Sequence, residues 1–403
     1  MRSRGALTPR LGVRLAALLL AGGVLAGGCT SAASEAPAPK PAESTSSTTP
    51  PPEPAEIALS VKDGATGVAP GQRFTATVTN GTIESGSLVG ADDTVVDGGK
   101  RPDGSGWTST EPLGYGKTYT LKAKATGADG KRVTASSTFT TAVPDRQLSV
   151  SINVQDGETV GVGMPVIFTF SGSVPDRAAA EKALRIETRP DTKGAFHWFS
   201  DQQVIWRPKE YWRSGTKVTV EAEIYGKHFG QGTYGQQDEA LDFTVGEKLI
   251  AIADGQSHQM KVLVNDKVVR TMPLSMGKPS SSTPNGHYTV MSEHVGYTMD
   301  SSTYGVPTDS ADGYETWVQY AVRLSYSGIF YHSAPWSVGD QGHRNVSHGC
   351  LNLSTENAAW LMDRSKRGDI VTVRNGGAQV LEPTDGWSVW QMSWQEWRSG
   401  GSA

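Results

Sequence analysis

Two histidines and one cysteine in the last third of this 403-residue chain form the group best able to do chemistry. Cys350 lies in Ser347-His348-Gly349-Cys350-Leu351-Asn352, and His332 lies upstream in the apolar run Ile329-Phe330-Tyr331-His332. A thiol is a strong nucleophile once ionised. A free one titrates near ~8.5, so a reactive cysteine needs a basic or cationic neighbour. His348 precedes Cys350 by two residues and shares its face if the segment is extended. His332 on a neighbouring strand would meet the thiol side by side, as a base meets its nucleophile. Gly349 permits a tight turn that would aim the amides of Gly349 and Cys350 at a developing oxyanion. The competing reading makes Cys350 a small buried apolar residue. Against it, the other cysteine, Cys29, belongs to an export leader, so Cys350 has no disulfide partner. A zinc site built from His332, His343, His348 and Cys350 matches no familiar ligand spacing, and no metal or cofactor enters the reading.

These residues must be positioned by β structure. The chain is 37% hydrophobic and 19% charged, with 47 Gly and 22 Pro, a mixture that suits short strands joined by turns. The net charge of −4, with no long basic run, disfavours nucleic acid as a partner. Around the candidate site, Leu249–Ile252, Met260–Val264, Lys267–Arg270, His287–Met291 and Ile370–Val373 read as strands, with Asn265-Asp266 as a tight hairpin turn. Ser354 to Arg367 reads as one helix, capped by Ser354 and stopped by Gly368. The segment from Glu293 to Gln319 is long, polar and Gly-punctuated, and reads as a lid loop. Its aromatics either reach the pocket or staple the loop down.

An internal repeat precedes this domain. Val61-Lys62-Asp63-Gly64 is echoed by Val154-Gln155-Asp156-Gly157, and Trp107 and Gly116 are echoed by Trp206 and Gly215 at an offset of 99. Residues 56–145 and 146–247 are therefore expected to be two immunoglobulin-like β-sandwich domains without a disulfide. They act as spacers or bind glycan through Trp198, Tyr211 or Trp212. Residues 375–403 form a C-terminal tail in which Trp387, Trp390, Trp394 and Trp397 would make one helical stripe. That stripe packs on the preceding domains or meets a membrane surface. The fold class is mainly β, with one short helix in the last domain.

At the N-terminus, Arg2 to Arg14 precede a fourteen-residue apolar run, Leu15 to Gly28, as in a secretory signal. Leu25-Ala26-Gly27-Gly28-Cys29 resembles a bacterial lipobox, giving residues 1–29 as signal and Cys29 as a lipidation site, with plain cleavage or retention as the alternatives. Residues 30–55 are a Pro/Ser/Thr tether too poor in apolar side chains to fold. The protein is thus expected outside the cytoplasm, anchored to the membrane and facing the cell wall.

His332, a gap of fourteen residues, then Ser347-His348-Gly349-Cys350 and Asn352 together resemble the signature of L,D-transpeptidases with a YkuD-type catalytic domain. Arg323–Gly328 and Tyr331–Trp336 match as well. The likeness covers residues 248–374, and the tandem modules before it are similar to the mycobacterial type. The resemblance implies an acyltransferase acting on peptidoglycan stem peptides. Cys350 would attack a tetrapeptide donor, releasing D-Ala, and a diaminopimelate amine would resolve the thioester as a 3→3 cross-link. It implies His332 as base, Ser333 as its orienter, His348 and Gly349 near the oxyanion, and acylation by carbapenems. Met299, Tyr304, Tyr314, Ser327, Gly328, Trp336 and Asn352 would contact substrate. The residues alone reach a thiol acyltransferase. An extracytoplasmic cysteine peptidase or amidase, or a non-catalytic wall-binding protein, stays open at that level.

Overall fold

The computed structural model describes residues 53–310 and 313–401. The leader, Cys29 and the tether up to residue 52 fall outside those residues; Ala55, expected in the tether, is buried in the first module against Val78 and Ile83.

The first module is a pair of four-stranded sheets. One orders Glu56–Leu59, Thr75–Thr79, Gly106–Ser109 and Gly98–Lys100; the other orders Val95–Val96, Gly81–Gly90, Thr118–Gly127 and Arg132–Thr140. Alternating residues from the two sheets, Phe74, Leu88, Trp107, Leu121 and Phe139 among them, fill the space between. The second module repeats the sandwich with Val166–Phe170 and Gln203–Pro208 in one sheet, and Lys217–Ala222 and Glu239–Val245 in the other. A tyrosine cluster joins the two: Tyr115 Oη donates to Gly235 O at 2.6 Å, and Tyr225 Oη donates to Leu113 O at 2.5 Å.

The aromatics considered for glycan binding are not a platform. Trp198 and Trp212 are buried in the second sandwich, and their indole N–H groups donate to Glu181 Oε1 and Met164 O, each at 2.7 Å. Tyr211 packs edge-on against Trp390. Large rings in a sandwich stabilise its core when their polar tips find partners, as these do.

The last domain holds two sheets. A five-stranded sheet orders Lys267–Pro273, Gln259–Val264, Leu249–Asp254, Ile370–Arg374 and Gly286–Thr289. Asn265 and Asp266 both take positive φ, 50° and 65°, the left-handed pair that a two-residue hairpin demands. A four-stranded sheet orders Ser292–Asp300, Glu315–Arg323, Phe330–Ser333 and Leu351–Leu353, with the last pair parallel. Three elements differ from expectation. The presumed loop 293–319 is mostly a two-stranded ribbon, Ser292–Asp300 on Glu315–Arg323, with only its tip irregular. The helix runs Thr355–Met362, ending well before Arg367; Ser354 Oγ does cap it, accepting from Asn357 N. Arg367 instead reaches the second module, where its guanidinium meets both Glu158 carboxylate oxygens at 3.0 Å. The four tryptophans do not share one helix: a short turn, Val389–Gln391, is followed by a separate helix, Trp394–Ser399. Ser393 starts that helix with a reciprocal capping box to Glu396, which breaks the stripe there.

The tail clamps the second module to the catalytic domain. Buried Arg207 lies 4.8, 5.6 and 4.6 Å from the ring centres of Trp390, Trp394 and Trp397, and its Nη2 donates to Met392 O at 2.9 Å. Burial pulls its guanidinium down to about 10, a measure of how little water reaches it. Trp390 Nε1 donates to Gly163 O at 2.8 Å, and on the catalytic domain Ser327 N donates to Asp385 Oδ1 of the same tail at 2.8 Å.

Candidate active site

Strand alternation sorts the candidate residues. Tyr331 pairs with Leu351 and His332 with Asn352 across the parallel strands. With a period of two, Tyr331, Leu351 and Leu353 turn into the main core, whereas Phe330 and Cys350 join a separate cluster with Met299, Val318 and Ala321. Cys350, His332 and Asn352 then line one cavity of about 260 Å³, together with Met299, Tyr314, Trp336 and His348. The core side of these strands is the foundation. Burying each of Leu351 and Leu353 contributes roughly 1.5–3 kcal/mol, and both are fully buried.

The turn that delivers Cys350 is braced from behind by residues 275–283. Ser275 and Asn352 exchange backbone hydrogen bonds at 3.1 and 2.8 Å, and Ser347 N donates to Met276 O at 3.0 Å. Thr283 Oγ1 donates to Gly349 O at 2.6 Å. Gly349 sits at φ +129°, and a Cβ there would come within 2.9 Å of Ile329 Cδ1. No other residue fits that turn without strain.

His332 is buried, and its Nδ1 lies 3.0 Å from Ser333 O. A carbonyl only accepts, so Nδ1 carries the proton and Nε2 presents its lone pair. Burial pulls the imidazole down to about 4, opposed by the Ser333 carbonyl and by the neighbouring Asn352 amide. No hydrogen bond of normal geometry joins that amide to His332: Asn352 Nδ2 donates to Ser337 Oγ at 3.1 Å, and Oδ1 is buried without a partner. The Trp336 ring stacks 5.9 Å from His332 and is 57% exposed at the cavity mouth.

Cys350 is also buried, and burial pushes its thiol up to about 12, against the Phe330 N–H and the Arg323 charge. Its Sγ donates to Gly328 O at 3.4 Å. The resting pair is therefore a neutral thiol and a neutral imidazole facing one cavity, not a preformed ion pair. The amide of Gly349, expected at the oxyanion, donates instead to Ser347 Oγ at 3.1 Å, so that donor is occupied in this state. Ser347 Oγ in turn donates to Cys350 O at 2.6 Å.

Tyr304, Ser327 and Gly328, expected as substrate contacts, do not line the cavity. Tyr304 lies behind Tyr314 and donates its hydroxyl proton to the Tyr314 oxygen. Its ring also covers Gly328, where a Cβ would fall 2.5 Å from the ring. Ser327 is tied to Asp385 through both N and Oγ, at 2.8 and 2.5 Å. His348 is exposed on the cavity rim, with Nε2 2.9 Å from Lys278 Nζ and its ring 5.7 Å from Tyr314. Sequence reasoning missed Thr316, Ser337, Asp340 and Val346 as lining residues and Ser347 as a brace. Ser347 stands within the motif itself; Thr316 lies on the ribbon strand Glu315–Arg323 and Ser337, Asp340 and Val346 on the irregular stretch after His332, whose approach to Cys350 no local pattern reports.

A family model for the L,D-transpeptidase catalytic domain (YkuD) matches residues 248–373, and one for a bacterial Ig domain matches 65–228, across both sandwiches. The chain is 45% identical over 345 residues to L,D-transpeptidase 2 of Mycobacterium tuberculosis (strain CDC 1551 / Oshkosh), covering 86% of this chain and 84% of the relative. The chain belongs to the L,D-transpeptidase family. L,D-transpeptidase 5 of Mycobacterium tuberculosis (strain H37Rv) is 36% identical, covering 84% of this chain and 75% of the relative. Among solved structures, the L,D-transpeptidase LdtMt1 in complex with imipenem superposes with a TM-score of 0.50 at 42% identity, over 58% of this chain and 100% of that one. The protein is thus an acyltransferase enzyme of mainly β fold, with immunoglobulin-like structure ahead of a YkuD-type domain.

Proposed function

We propose that this L,D-transpeptidase forms 3→3 cross-links between peptidoglycan stem peptides through a thioester on Cys350. The observation that carries this is the cavity shared by His332, on one strand, and Cys350, directly ahead of the parallel strand Leu351–Leu353, with His332 Nε2 left basic by the Ser333 carbonyl. Substrate entry displaces water and gives the thiol an electrophile. His332 Nε2 takes the thiol proton as Sγ bonds to the donor carbonyl at the diaminopimelate–D-Ala bond. The Tyr314 oxygen accepts a hydrogen bond from the Tyr304 hydroxyl, and its own O–H can then donate to the oxyanion. Burial raises the Tyr314 phenol, so it stays a donor at neutral pH. The Cys350 amide is the second donor, with Gly349 joining if Ser347 Oγ lets go, and His348 at the rim assisting. Collapse expels D-Ala, which takes the proton from His332. A diaminopimelate amine of a second stem then attacks the thioester.

Met299 and Asn352 hold the donor in this scheme and Trp336 stands at the cavity mouth where the second stem enters, with Tyr304, Ser327 and Gly328 supporting the pocket wall rather than touching substrate. Carbapenems would acylate the same sulfur, as imipenem binding by LdtMt1 suggests. The basic-then-apolar leader and Cys29 support an extracytoplasmic, membrane-tethered protein working on the wall. The test is intact-protein mass spectrometry after incubation with a carbapenem and, separately, with a disaccharide-tetrapeptide. A covalent adduct on Cys350 and a cross-linked dimer product are expected. Dimer formation by Cys350→Ala would exclude the scheme.

A further inference from the structure

The cavity has a charge that the acylation chemistry leaves unused. Among the described residues that line it, Asp340 is the only carboxylate, and none is a lysine or arginine. The segment carrying Asp340 is fastened to the reacting groups. Asp340 N donates to Ser337 O at 2.9 Å, Arg344 N donates back to Asp340 O at 2.9 Å, and Asn352 Nδ2 holds Ser337 Oγ at 3.1 Å. Trp336, in the same segment, lies against His332. The segment carrying Asp340 is thus held on the His332 side of the cavity, and His348 meets Lys278 at its rim. The side-chain partner of Asp340 is Arg344, whose own side chain is 74% exposed. The Asp340 side chain is only 21% exposed, so the pair is loose at its Arg344 end, where solvent screens it, and a cation entering the cavity can take the place of Arg344.

We infer that Asp340, with the exposed face of Trp336, receives the amine of the acceptor as an ammonium and sets the preference for an amine over water. This rests on the acyltransfer reading above. An aliphatic amine is cationic near neutral pH, and both a carboxylate and an indole face attract a cation. Water gains nothing from either group. The ammonium releases its extra proton to solvent, and the neutral nitrogen then attacks the thioester carbon. A C–N bond forms as the C–S bond breaks. The second nitrogen proton passes to His332 Nε2 and from there to the leaving sulfur. Placement on the His332 side brings the nucleophile to the base that must take that proton.

The experiment follows a preformed acyl-enzyme made from a tetrapeptide donor and measures, in one reaction, transfer to a diaminopimelate-containing acceptor and hydrolysis. Asp340→Asn lowers the transfer-to-hydrolysis ratio at sub-saturating acceptor by roughly fivefold to tenfold, through acceptor KM, and Asp340→Glu restores part of it. Arg344→Ala keeps the ratio or raises it, because a competing cation is gone. An unchanged ratio in Asp340→Asn overturns the inference, and so does an equal loss in Arg344→Ala, which would make Asp340 an anchor for Arg344. Should Asp340→Asn not fold, the unmodified protein still decides: the ratio falls as ionic strength rises, and a flat ratio refutes the role. Absence of any acyl-enzyme in the unmodified protein sinks the underlying acyltransfer reading instead, a different result.

Discussion

If the resting thiol is neutral, its reaction with a small alkylating agent must show it. Burial pushes Cys350 up to about 12 from an ordinary 9.0. Three units leave about a thousandfold fewer thiolates at pH 7 than an open cysteine has. The more basic thiolate is also the better nucleophile, with a slope of ~0.4–0.5, which returns about 20–30-fold. The net expectation is alkylation by iodoacetamide about 30–50-fold slower than an unhindered thiol at pH 7, before any shielding by the cavity walls. The rate should climb about tenfold per pH unit and keep climbing past pH 9, where an open thiol levels off. His332→Ala should leave that slope unchanged, because the sulfur donates to Gly328 O and not to the imidazole in this state. Carbapenem acylation should behave differently. It draws on neutral His332, lowered to about 4, and stays flat from about pH 5 upward until other groups titrate. The measurement is adduct formation by intact mass against pH. A plateau in alkylation with a midpoint between about 6 and 8 would show a thiolate–imidazolium pair and refute the neutral resting state.

Other outcomes follow from the same geometry. Tyr314→Phe removes an oxyanion donor and should slow acylation about a hundredfold with little change in stability; an unaffected rate, followed by stopped-flow fluorescence, removes Tyr314 from the mechanism. His332 sits at about 4 folded and 6.5 unfolded, so the unfolded chain binds its proton first. Its contribution of about 3 kcal/mol is complete above pH 6.5 and is lost as pH falls toward 4. Denaturant melts of the native protein and His332→Asn should therefore differ in slope across that window, and parallel curves would contradict the burial. Arg367→Ala breaks the half-buried pair to Glu158 and should cost about 3 kcal/mol, splitting one calorimetric transition of the second module and catalytic domain into two; an unchanged single transition would show that the tail alone holds the joint.

Much of this was legible because it obeys short-range rules. Cys350 and Asn352 against Leu351 and Leu353 is a period of two, and so is His332 against Tyr331, so the strand identities and the shared face follow from local sequence. Asn265-Asp266 and the Ser354 cap are equally local. What escaped was set by distant partners. The ribbon 292–323 lacks apolar alternation on its outer face, where Val295 and Trp317 stand exposed, so its pairing is dictated by the sheet it extends. Beyond Met362 the chain leaves helical geometry, and Arg367 is held by Glu158, Asn153 O and Met291 O, partners remote in sequence. The tryptophans fell at helical spacing but answer to Arg207, whose burial no sequence window reveals.

The joint between domains bears on catalysis through one short stretch of chain. Gly161 N and Gly163 N of the second sandwich donate to Arg367 O and Gly368 O, both at 2.8 Å. Asp369 follows, fully buried, and Ile370 begins the strand that pairs with Leu249–Asp254 and Gly286–Thr289. Val290 N donates to Asp369 O, and Met291 N to Arg323 O, which links this stretch to the strand flanking His332. A Cβ on Gly161 would fall 2.1 Å from Asp369 N, so the approach tolerates no side chain. The second module therefore braces the sheet carrying His332 from behind, whereas the first meets the second through Tyr115, Tyr225 and the close approach of Gly71 to Gly226. Removing residues 56–145 should spare turnover of soluble stem peptides, while Gly161→Val should lower both stability and acylation rate. Equal tolerance of the two changes would show that the sheet holds His332 without help.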